Sequence, residues 1–328
     1  MNSILTFRPV FNILKRLMDN MCKKIIYEEF KGEFVKNCPC SPEAVSCGYY
    51  NMNLHKGCPF SCTYCILQSY LESKEPVFYT NTDQAREELE KAGKHLKSIR
   101  ISTGELSDSL AYEKINKYSD KIIEILKDFP EVVFEFKTKS ANVENLVRKK
   151  PLKNIVVSWS LNPQKIIDLE EHKTASLDER LSAMKIVQDA GYKTVIHVDP
   201  IIITDNWKGL YGELIADISK IIDPEKIAWW SLGALRFPDE LKEHIFKFRD
   251  SELFTGELIR GYDGKYRYFK PLRKELFAFV RDEIYKQVSP DAPLYLCMED
   301  IEMWHDIFPG MDPDPEIINK YLYDSAMK

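Results

Sequence analysis

The sequence carries no excess of positive charge. Its 46 Lys and Arg residues are outnumbered by 51 Asp and Glu residues, which gives a formal net charge of -5. A protein that attracts nucleic acid through its whole-molecule field is strongly basic, so any polyanion contact must here come from a local basic patch. A long uninterrupted apolar run is also missing, because charged residues interrupt the segment 7–18 and no small-residue cleavage site follows it. This pattern argues against a signal peptide or a membrane span, and we expect a cytoplasmic protein with no membrane partner.

A disulfide framework spread over the fold is absent as well. Six of the eight cysteines fall between positions 38 and 65, which is the clustering of a metal site in a reducing compartment. Three of them, Cys38, Cys40 and Cys47, lie in a turn-rich lead-in and include no C-x2-C pair. We favour buried or shielding thiols for these three, with ligands of a second metal as the alternative.

The other clustered cysteines, Cys58, Cys62 and Cys65, have the spacing C-x3-C-x2-C on one short loop. Thiolates hold iron-sulfur clusters, and three of them can hold three corners of a [4Fe-4S] cluster while the fourth iron stays open. An open iron can chelate an exogenous molecule, here S-adenosylmethionine, and Tyr64 would then lie beside that cofactor. This pattern is the radical SAM signature.

An alternative interpretation of the three cysteines is a zinc site completed by Cys47 or His55. Zinc sites usually pair their cysteines as two separated C-x2-C units, and this loop contains only one such unit. A protein of that kind would be a zinc-stabilised nucleic-acid-binding module and not an enzyme.

Strands rich in β-branched and aromatic residues alternate with helix-forming segments through the middle of the chain. The predicted strands cover 51–55, 98–103, 132–139, 154–161, 194–199 and 227–232. Helices are predicted at 82–96, 120–127, 177–190 and 211–222. Strands that alternate with helices form parallel βαβ units. We therefore expect an α/β fold, a partial (β/α)6 TIM-type barrel of the radical SAM type over 51–237, after an N-terminal extension and cysteine-rich lead-in over 1–50.

Such a barrel places its chemistry at the carboxyl ends of the strands. Polar residues follow the predicted strands at these ends: Ser102, Thr103, Glu105, Lys139, Ser160, Asn162, His197 and Asp199. The cysteine loop leaves the first predicted strand at the same edge. Polar residues are common at strand ends, so this placement is consistent with a site there but does not by itself establish one.

Beyond residue 237 we expect a C-terminal substrate-binding extension over 238–328. An Asp-Gly turn between alternating residues predicts a β-hairpin near 257–271. Basic and aromatic side chains together can hold phosphates and stack bases. The candidate substrate contacts in this hairpin are Tyr266, Arg267, Tyr268 and Lys270, with Tyr262 beside them. An ordinary amphipathic hairpin with a solvated face fits the same pattern, and the segments 272–286 and 293–299 are expected to pack back on the edge of the barrel.

The chain resembles the spore photoproduct lyases and their radical SAM relatives, DNA-repair enzymes that split a covalently linked thymine pair. The resemblance runs from about residue 34 into the C-terminal region. Besides the cysteine loop, it rests on Leu67, Gln68, Ser107, Asp108, Lys139 and Ser160. It implies that Ser107 and Asp108 contact the nucleoside part of S-adenosylmethionine, that Lys139 and Ser160 hold its carboxylate, and that the basic hairpin binds the lesion. An ammonium group suits a carboxylate, and Asp and Ser suit ribose hydroxyls.

Two positions depart from that family. Its repair members carry a cysteine that donates a hydrogen atom to the thymine radical, where this chain has Glu105. They also carry a relay tyrosine after the third cluster cysteine, where this chain has Ile66. A carboxylate cannot donate a hydrogen atom, so the relay is broken unless Cys297 reaches the site. We take Tyr64 and Glu105 as the catalytic candidates.

These observations predict a radical SAM lyase that uses a [4Fe-4S] cluster to cleave S-adenosylmethionine to methionine and a 5'-deoxyadenosyl radical. DNA is the candidate substrate partner, and the reaction needs a reducing electron donor such as flavodoxin or ferredoxin. The alternative is a radical SAM enzyme with a small-molecule or peptide substrate, which the acidic net charge and the missing donor permit.

Overall fold

The computed structural model describes residues 25–71, 75–93, 98–248, 251–254, 257–261 and 263–328. The basic segment 7–18 lies outside the described residues. The strands are β1 (Ile26–Glu28), β2 (Val35–Asn37), β3 (Tyr49–Met52), β4 (His55–Lys56), β5 (Ser61–Cys62), β6 (Val77–Tyr79), β7 (Arg100–Thr103), β8 (Val133–Thr138), β9 (Ile155–Ser160), β10 (Glu171–His172), β11 (Lys193–Ile201), β12 (Ile227–Ala234), β13 (Arg236–Phe237), β14 (Leu258–Arg260), β15 (Tyr266–Tyr268) and β16 (Leu294–Leu296).

The α-helices of the described residues are α1 (Leu67–Tyr70), α2 (Gln84–Gly93), α3 (Glu113–Asn116), α4 (Tyr118–Leu126), α5 (Glu144–Val147), α6 (Gln164–Glu170), α7 (Leu177–Asp189), α8 (Trp207–Ile221), α9 (Asp239–Phe248), α10 (Lys270–Gln287), α11 (Ile301–Ile307) and α12 (Pro315–Met327). Two short 3-10 helices lie at Pro224–Lys226 and Glu252–Phe254. Across the part of the chain that the structure describes, no helix has the length and apolar character needed to cross a membrane.

The largest sheet has eight strands in the order β16-β12-β11-β9-β8-β7-β3-β2. All neighbours pair in parallel except β2 and β3, which are antiparallel. Strands β9 and β12 are buried along their whole length, as expected for parallel strands that are covered on both faces. The sheet curls into a half-barrel. The predicted partial barrel is therefore confirmed, and its six predicted strands correspond to β3, β7, β8, β9, β11 and β12 within a few residues.

The sequence pattern does not predict two strands of this sheet. The segment 293–299 was expected to pack on the barrel edge, and the structure adds its residues Leu294–Leu296 to the sheet as β16, parallel to β12. At the other end, β2 pairs with β3. Each of these edge strands has only three residues, which is too short for an alternation pattern to reveal. Long-range pairing determines both strands, and the sheet thus draws on both segments that flank the predicted barrel.

Helix α7 shows how local sequence fixes an element of the barrel. Ser176 and Glu179 form a capping box at its beginning, and Gly191 follows its end with a φ of +98°. The helix packs against β9 and β11. The structure therefore gives α7 almost the limits that the sequence predicts.

The part of the lead-in between β2 and β3, residues 38–48, brings the two ends of the sheet together, and the name lead-in is used for these residues below. The amide of Val45 donates to the carbonyl of Glu299, beyond β16, at 2.9 Å. Arg100 in β7 is fully buried and donates to the carbonyl of Cys47. We call this junction between the lead-in and the residues that follow β16 the seam. The seam connects the segments next to the two edge strands, β2 and β16, on the side where no strand completes the half-barrel.

Candidate active site

Backbone contacts hold the cysteine loop on both sides. β5, which contains Cys62, pairs antiparallel with β10, and the amide of Thr63 donates to the carbonyl of Glu170 at 2.8 Å. After the third cysteine, the side-chain amide of Gln68 donates to the carbonyls of Cys62 and Thr63. The glutamine of the sequence Tyr-Cys-x-Leu-Gln therefore fixes the loop between its second and third cysteines.

Gly57 begins this loop in a left-handed conformation, with a φ of +89°. A Cβ atom there would lie 3.0 Å from the carbonyl oxygen of Glu75. The amide of Gly57 donates to the carbonyl of Leu106 at 2.9 Å, and the hydroxyl of Ser107 donates to the carbonyl of Gly57 at 2.8 Å. The loop that follows β7 is thereby tied to the start of the cysteine loop.

Two neighbouring cavities lie at this edge of the sheet, and we call them the smaller and the larger cavity. Cys58, Cys62 and Cys65 line the smaller cavity, which has a volume of about 210 Å³. Four of the five residues predicted to contact the cofactor line it as well, namely Ser107, Asp108, Lys139 and Ser160, whereas Tyr64 does not. Burial raises the pKa of each of the three thiols. Metal binding overcomes this effect, because a coordinated thiol is deprotonated. Three thiols on one loop, beside an open space, fit a cluster with three protein ligands.

Asp108 has its carboxylate satisfied within the protein. Its Oδ1 accepts hydrogen bonds from the amides of Leu110 and Ala111 at 3.0 and 2.8 Å and from the hydroxyl of Thr138 at 2.6 Å. Its Oδ2 accepts from the amide of Lys139 at 2.6 Å. Burial raises the pKa of Asp108, and these donors act against that shift. The structure thus gives Asp108 a structural role, because it joins the loop after β7 to the end of β8.

Behind the cysteine loop lies a buried charged network that the sequence pattern does not predict. Glu171 in β10 pairs with Arg180 in α7 at 2.6 Å, and both side chains are completely buried. Glu171 also accepts hydrogen bonds from the hydroxyl of Tyr64 and from Nδ2 of Asn162. Nζ of Lys139 lies 5.7 Å from the centre of the Tyr64 ring. No periodicity marks Glu171, because it lies in a two-residue strand and meets its partners only in the folded chain.

This network favours the charged form of Lys139. Burial lowers the pKa of Lys139, but the surrounding negative charge, above all that of Glu171, raises it by more in sum, and the net shift is upward. Burial also works against a charged Glu171, yet Lys139 and Arg180 outweigh it and lower the pKa of Glu171. A positive charge is therefore available at the cavity wall for a carboxylate ligand.

Glu171→Gln is expected to destabilise the protein by about 3 to 5 kcal/mol, because it leaves the charge of Arg180 buried without its partner. Denaturant unfolding followed by circular dichroism measures the change. Glu144→Gln is the matched control, since Glu144 pairs with Lys114 at 3.6 Å on the surface, where a pair contributes about 0 to 1 kcal/mol. Equal stability of the two variants would show that the fold does not depend on the buried pair.

A second cavity of about 370 Å³, the larger cavity, lies next to the first. Both are lined by Cys65, Ile66, Gly104, Glu105 and Lys137. The remaining wall of the larger cavity includes Tyr64, His197, Asp199, Arg236, Lys265 and the thiols of Cys38, Cys40, Cys47 and Cys297. A molecule in the larger cavity would therefore lie beside one in the smaller cavity.

Glu105 stands where the two cavities meet. Its carboxylate accepts a hydrogen bond from Nδ2 of Asn53 and pairs with Nζ of Lys36 at 3.5 Å. On another wall of the larger cavity, Arg236 donates two hydrogen bonds to Asp199, at 3.1 and 3.2 Å. Cations thus hold both acidic side chains in place.

The model of the spore photoproduct lyase family matches residues 41–270 of this chain, which is most of its length. The protein belongs to the spore photoproduct lyase family. The spore photoproduct lyase of Clostridium acetobutylicum is 28% identical over 258 residues, which covers 75% of this chain and 74% of that relative. The spore photoproduct lyase of a Geobacillus species is 29% identical over 249 residues, 72% of each chain.

Solved structures of spore photoproduct lyase share the fold. One that is complexed with dinucleoside spore photoproduct has a TM-score of 0.74 and 25% identity, over 83% of this chain and 82% of that chain. A doubly substituted variant with bound AdoMet and dinucleoside spore photoproduct has a TM-score of 0.73 and 24% identity over the same shares. Spore photoproduct lyases are radical SAM lyases, so membership confirms the predicted enzyme class and argues against a non-enzymatic zinc module.

The structure also separates His55 and Cys47 from the three thiols of the family's cysteine loop. His55 packs against the rings of Tyr118 and Phe78, at 5.0 and 5.8 Å between ring centres. Burial lowers the pKa of His55 to about 4. Cys47 lines the larger cavity. Within the described residues, neither side chain belongs to the wall of the smaller cavity, so neither completes a zinc site there.

The hairpin predicted for this spore photoproduct lyase relative is present as β14 and β15, and β13 adds a third strand. Its predicted basic contacts are paired within the protein. Arg267 pairs with Asp263 at 2.5 Å, and Lys270 pairs with Asp300 at 3.3 Å and with Glu302. Tyr262 lies outside the described residues.

The aromatic side chains of this hairpin are also engaged within the protein. The hydroxyl of Tyr268 accepts a hydrogen bond from the amide of Ile203 at 3.0 Å, and Tyr266 stacks on Phe237 with 5.8 Å between ring centres. From the described part of the hairpin, Lys265 is the residue on the wall of the larger cavity. The structure thus brings Lys265 to the cavity and leaves the four predicted substrate contacts outside its wall.

The two departures from the family's repair members lie together in the fold. Ile66 and Glu105 both line the two cavities. At the junction, a substrate would meet an apolar side chain and a carboxylate at the positions where those members have a tyrosine and a thiol.

Proposed function

We propose that the protein binds a [4Fe-4S] cluster through Cys58, Cys62 and Cys65 and S-adenosylmethionine in the smaller cavity. The observation that carries this proposal is that the three thiols share the cavity wall with Lys139 and Ser160. When bound, the cluster supplies the electron that cleaves S-adenosylmethionine into methionine and a 5'-deoxyadenosyl radical. A flavodoxin or ferredoxin is the proposed source of that electron.

The residues of the smaller cavity bind and orient the cofactor. Lys139, with its raised pKa, suits the carboxylate of the methionine part, and Ser160 lies on the same wall. Ser107 and Asp108 fix the loop against which the nucleoside part would lie. Glu171 supports this wall from behind, through Tyr64 and its attraction to Lys139.

We further propose a covalently linked thymine pair in DNA as the substrate, bound in the larger cavity. Family membership supports this, as does the dinucleoside spore photoproduct bound by the solved spore photoproduct lyase. Lys265 and Lys137 place positive charge on the wall, which suits the phosphate of such a substrate. The shared wall at Cys65, Ile66 and Glu105 would bring the substrate next to the adenosyl group.

The test is anaerobic incubation of the reduced, reconstituted protein with S-adenosylmethionine and dinucleoside spore photoproduct. We expect methionine, 5'-deoxyadenosine and products of lesion cleavage, quantified by chromatography and mass spectrometry. Formation of 5'-deoxyadenosine with an untouched lesion would overturn the proposed substrate and leave the cofactor chemistry in place. No cleavage of S-adenosylmethionine under any reducing condition would overturn both.

A second candidate function keeps the radical chemistry and replaces the lesion by a small molecule or a peptide. Glu105 favours it, because a carboxylate at the junction of the cavities can bind a polar substrate but cannot return a hydrogen atom to a thymine radical. The pairing of Arg267 and Lys270 within the protein also leaves less basic surface for DNA. The same incubation separates this candidate from the first.

Lys139→Ala is expected to weaken binding of S-adenosylmethionine by about 1.5 to 3 kcal/mol, or roughly 10- to 150-fold in Kd, because it removes a charge-assisted contact to the carboxylate. Anaerobic isothermal titration calorimetry measures the change. The iron content should stay the same, since Lys139 is not a cluster ligand. Lys114→Ala is the control, because the side chain of Lys114 is exposed and lines neither cavity. A Kd unchanged in both variants would contradict the assigned role of Lys139.

A further inference from the structure

Four thiols outside the cysteine loop line the larger cavity: those of Cys38, Cys40, Cys47 and Cys297. The sulfurs of Cys38 and Cys40 are 4.0 Å apart. The function proposed above uses none of these four thiols. None of the four forms a disulfide in the structure.

The four thiols meet because the sheet curls. Cys38 follows β2, Cys47 precedes β3 and Cys297 follows β16, so the set comes from the two opposite ends of the eight-stranded sheet. Backbone hydrogen bonds fix these positions: the amide of Cys38 donates to the carbonyl of Tyr49, and that of Cys297 to the carbonyl of Leu232, both at 2.8 Å. The thiols therefore gather at the seam, where the lead-in meets the residues after β16.

The surroundings of this group carry charges of both signs, since Glu105 and Asp199 also line the cavity. Nη2 of Arg236 lies 3.5 Å from the sulfur of Cys297, and the positive charge of Arg100 acts on Cys47. Lys137 and Lys265 line the same cavity.

We propose that Cys38, Cys40, Cys47 and Cys297 ligate a second iron-sulfur cluster at the seam. Four thiolates are the usual ligand set of a fully ligated cluster. In the described ranges, no three His, Cys, Asp or Glu side chains are close enough to enclose a single ion, and this holds for Cys58, Cys62 and Cys65 too. An iron-sulfur cluster is wider than one ion and accepts thiolates that lie further apart.

This assignment goes beyond the proposed function, which needs only the cluster of the cysteine loop. A second cluster would join the two ends of the sheet covalently through metal-thiolate bonds. It would also take up part of the larger cavity and restrict the substrate to the space that remains. Its four ligands would have no S-H hydrogen to donate, which is consistent with the absence of a dedicated thiol donor near Glu105.

The experiment compares iron, sulfide and zinc contents of the anaerobically reconstituted full chain in three forms. These are the wild type, the triple variant Cys58→Ala, Cys62→Ala, Cys65→Ala, and the quadruple variant Cys38→Ala, Cys40→Ala, Cys47→Ala, Cys297→Ala. We expect about six to eight irons in the wild type, about two to four in the triple variant and about four in the quadruple variant. Electron paramagnetic resonance of the reduced triple variant should show an iron-sulfur signal that the single change Cys297→Ala, made in the triple variant, removes or alters.

A folded triple variant without iron would overturn the second cluster, with folding verified by circular dichroism. Zinc in place of the additional iron would overturn it as well. If the quadruple variant fails to fold, the single variant Cys297→Ala of the otherwise wild-type chain takes its place. This single variant is then expected to lose about two to four irons. Cleavage of S-adenosylmethionine by a wild type with only about four irons would leave the proposed function standing and remove this inference alone.

Discussion

Replacing Cys58, Cys62 or Cys65 by Ala is expected to remove about four irons per chain and to reduce formation of 5'-deoxyadenosine to the background rate. Each thiol would supply one ligand of the proposed cluster. The three line a single cavity, on a loop that Gln68 and β10 hold in place. In the described part of the chain, no further thiol lines that cavity, so a lost ligand has no replacement there. Iron and sulfide analysis, with chromatography of the nucleoside product, measures both effects.

The matched control for these variants is Ser69→Ala, which removes a hydroxyl from the neighbouring helix α1. Ser69 is half-buried, and its hydroxyl donates to the carbonyl of Ile66 at 3.0 Å. It should retain the iron content and the rate of the wild type. If all three cysteine variants also kept the full iron content, the assignment of the cysteine loop as the cluster site would be wrong.

Glu105→Cys is expected to raise the yield of clean thymine from a thymine lesion several-fold. The wild-type carboxylate accepts a hydrogen bond from Asn53 and pairs with Lys36 through the same oxygen, Oε2, and it has no hydrogen atom to donate to a substrate radical. The wild type should therefore turn over slowly or release by-products in which the substrate radical has reacted with something other than a hydrogen-atom donor of the protein. A thiol at this position, where the two cavities meet, would restore a donor.

Product analysis with lesion-containing DNA distinguishes the wild type, Glu105→Cys and Glu105→Ser. The serine variant is the control, because it removes the carboxylate without introducing a thiol. An equal rise in the yield of clean thymine in both variants would show that loss of the negative charge, and not the new thiol, causes the improvement. Clean and efficient repair by a Cys297→Ala protein that retains Glu105 would contradict the view that this chain lacks a dedicated donor.

Much of the barrel follows from local sequence, because its strands are long, continuous and apolar. β9 and β12 are buried from end to end, and their β-branched and aromatic residues make them visible in the sequence. The cysteine loop is equally visible, since its spacing is short and specific. β2 and β16 are not, because three residues carry no pattern and their partners lie far away in the chain.

The candidate site was predictable only in part, for a related reason. Lys139 and Ser160 could be placed by resemblance and by their position at strand ends. Glu171 could not be predicted from the sequence, because its role depends on its buried contacts with Arg180 and Tyr64, which exist only in the folded chain. In the basic hairpin the backbone could be predicted and the role of the side chains could not. The Asp-Gly turn predicts the two strands correctly, but the sequence does not reveal that Arg267 pairs with Asp263, because that pairing depends on side-chain geometry.

The seam also fixes the order in which the site can be completed during synthesis. The cysteine loop finds its backbone partners in β10, roughly in the middle of the chain. Val45, by contrast, needs Glu299, which is separated from it by most of the chain, and contacts of such long range form late because loop closure opposes them. The cysteine loop can therefore reach its folded conformation well before the seam completes the wall of the larger cavity.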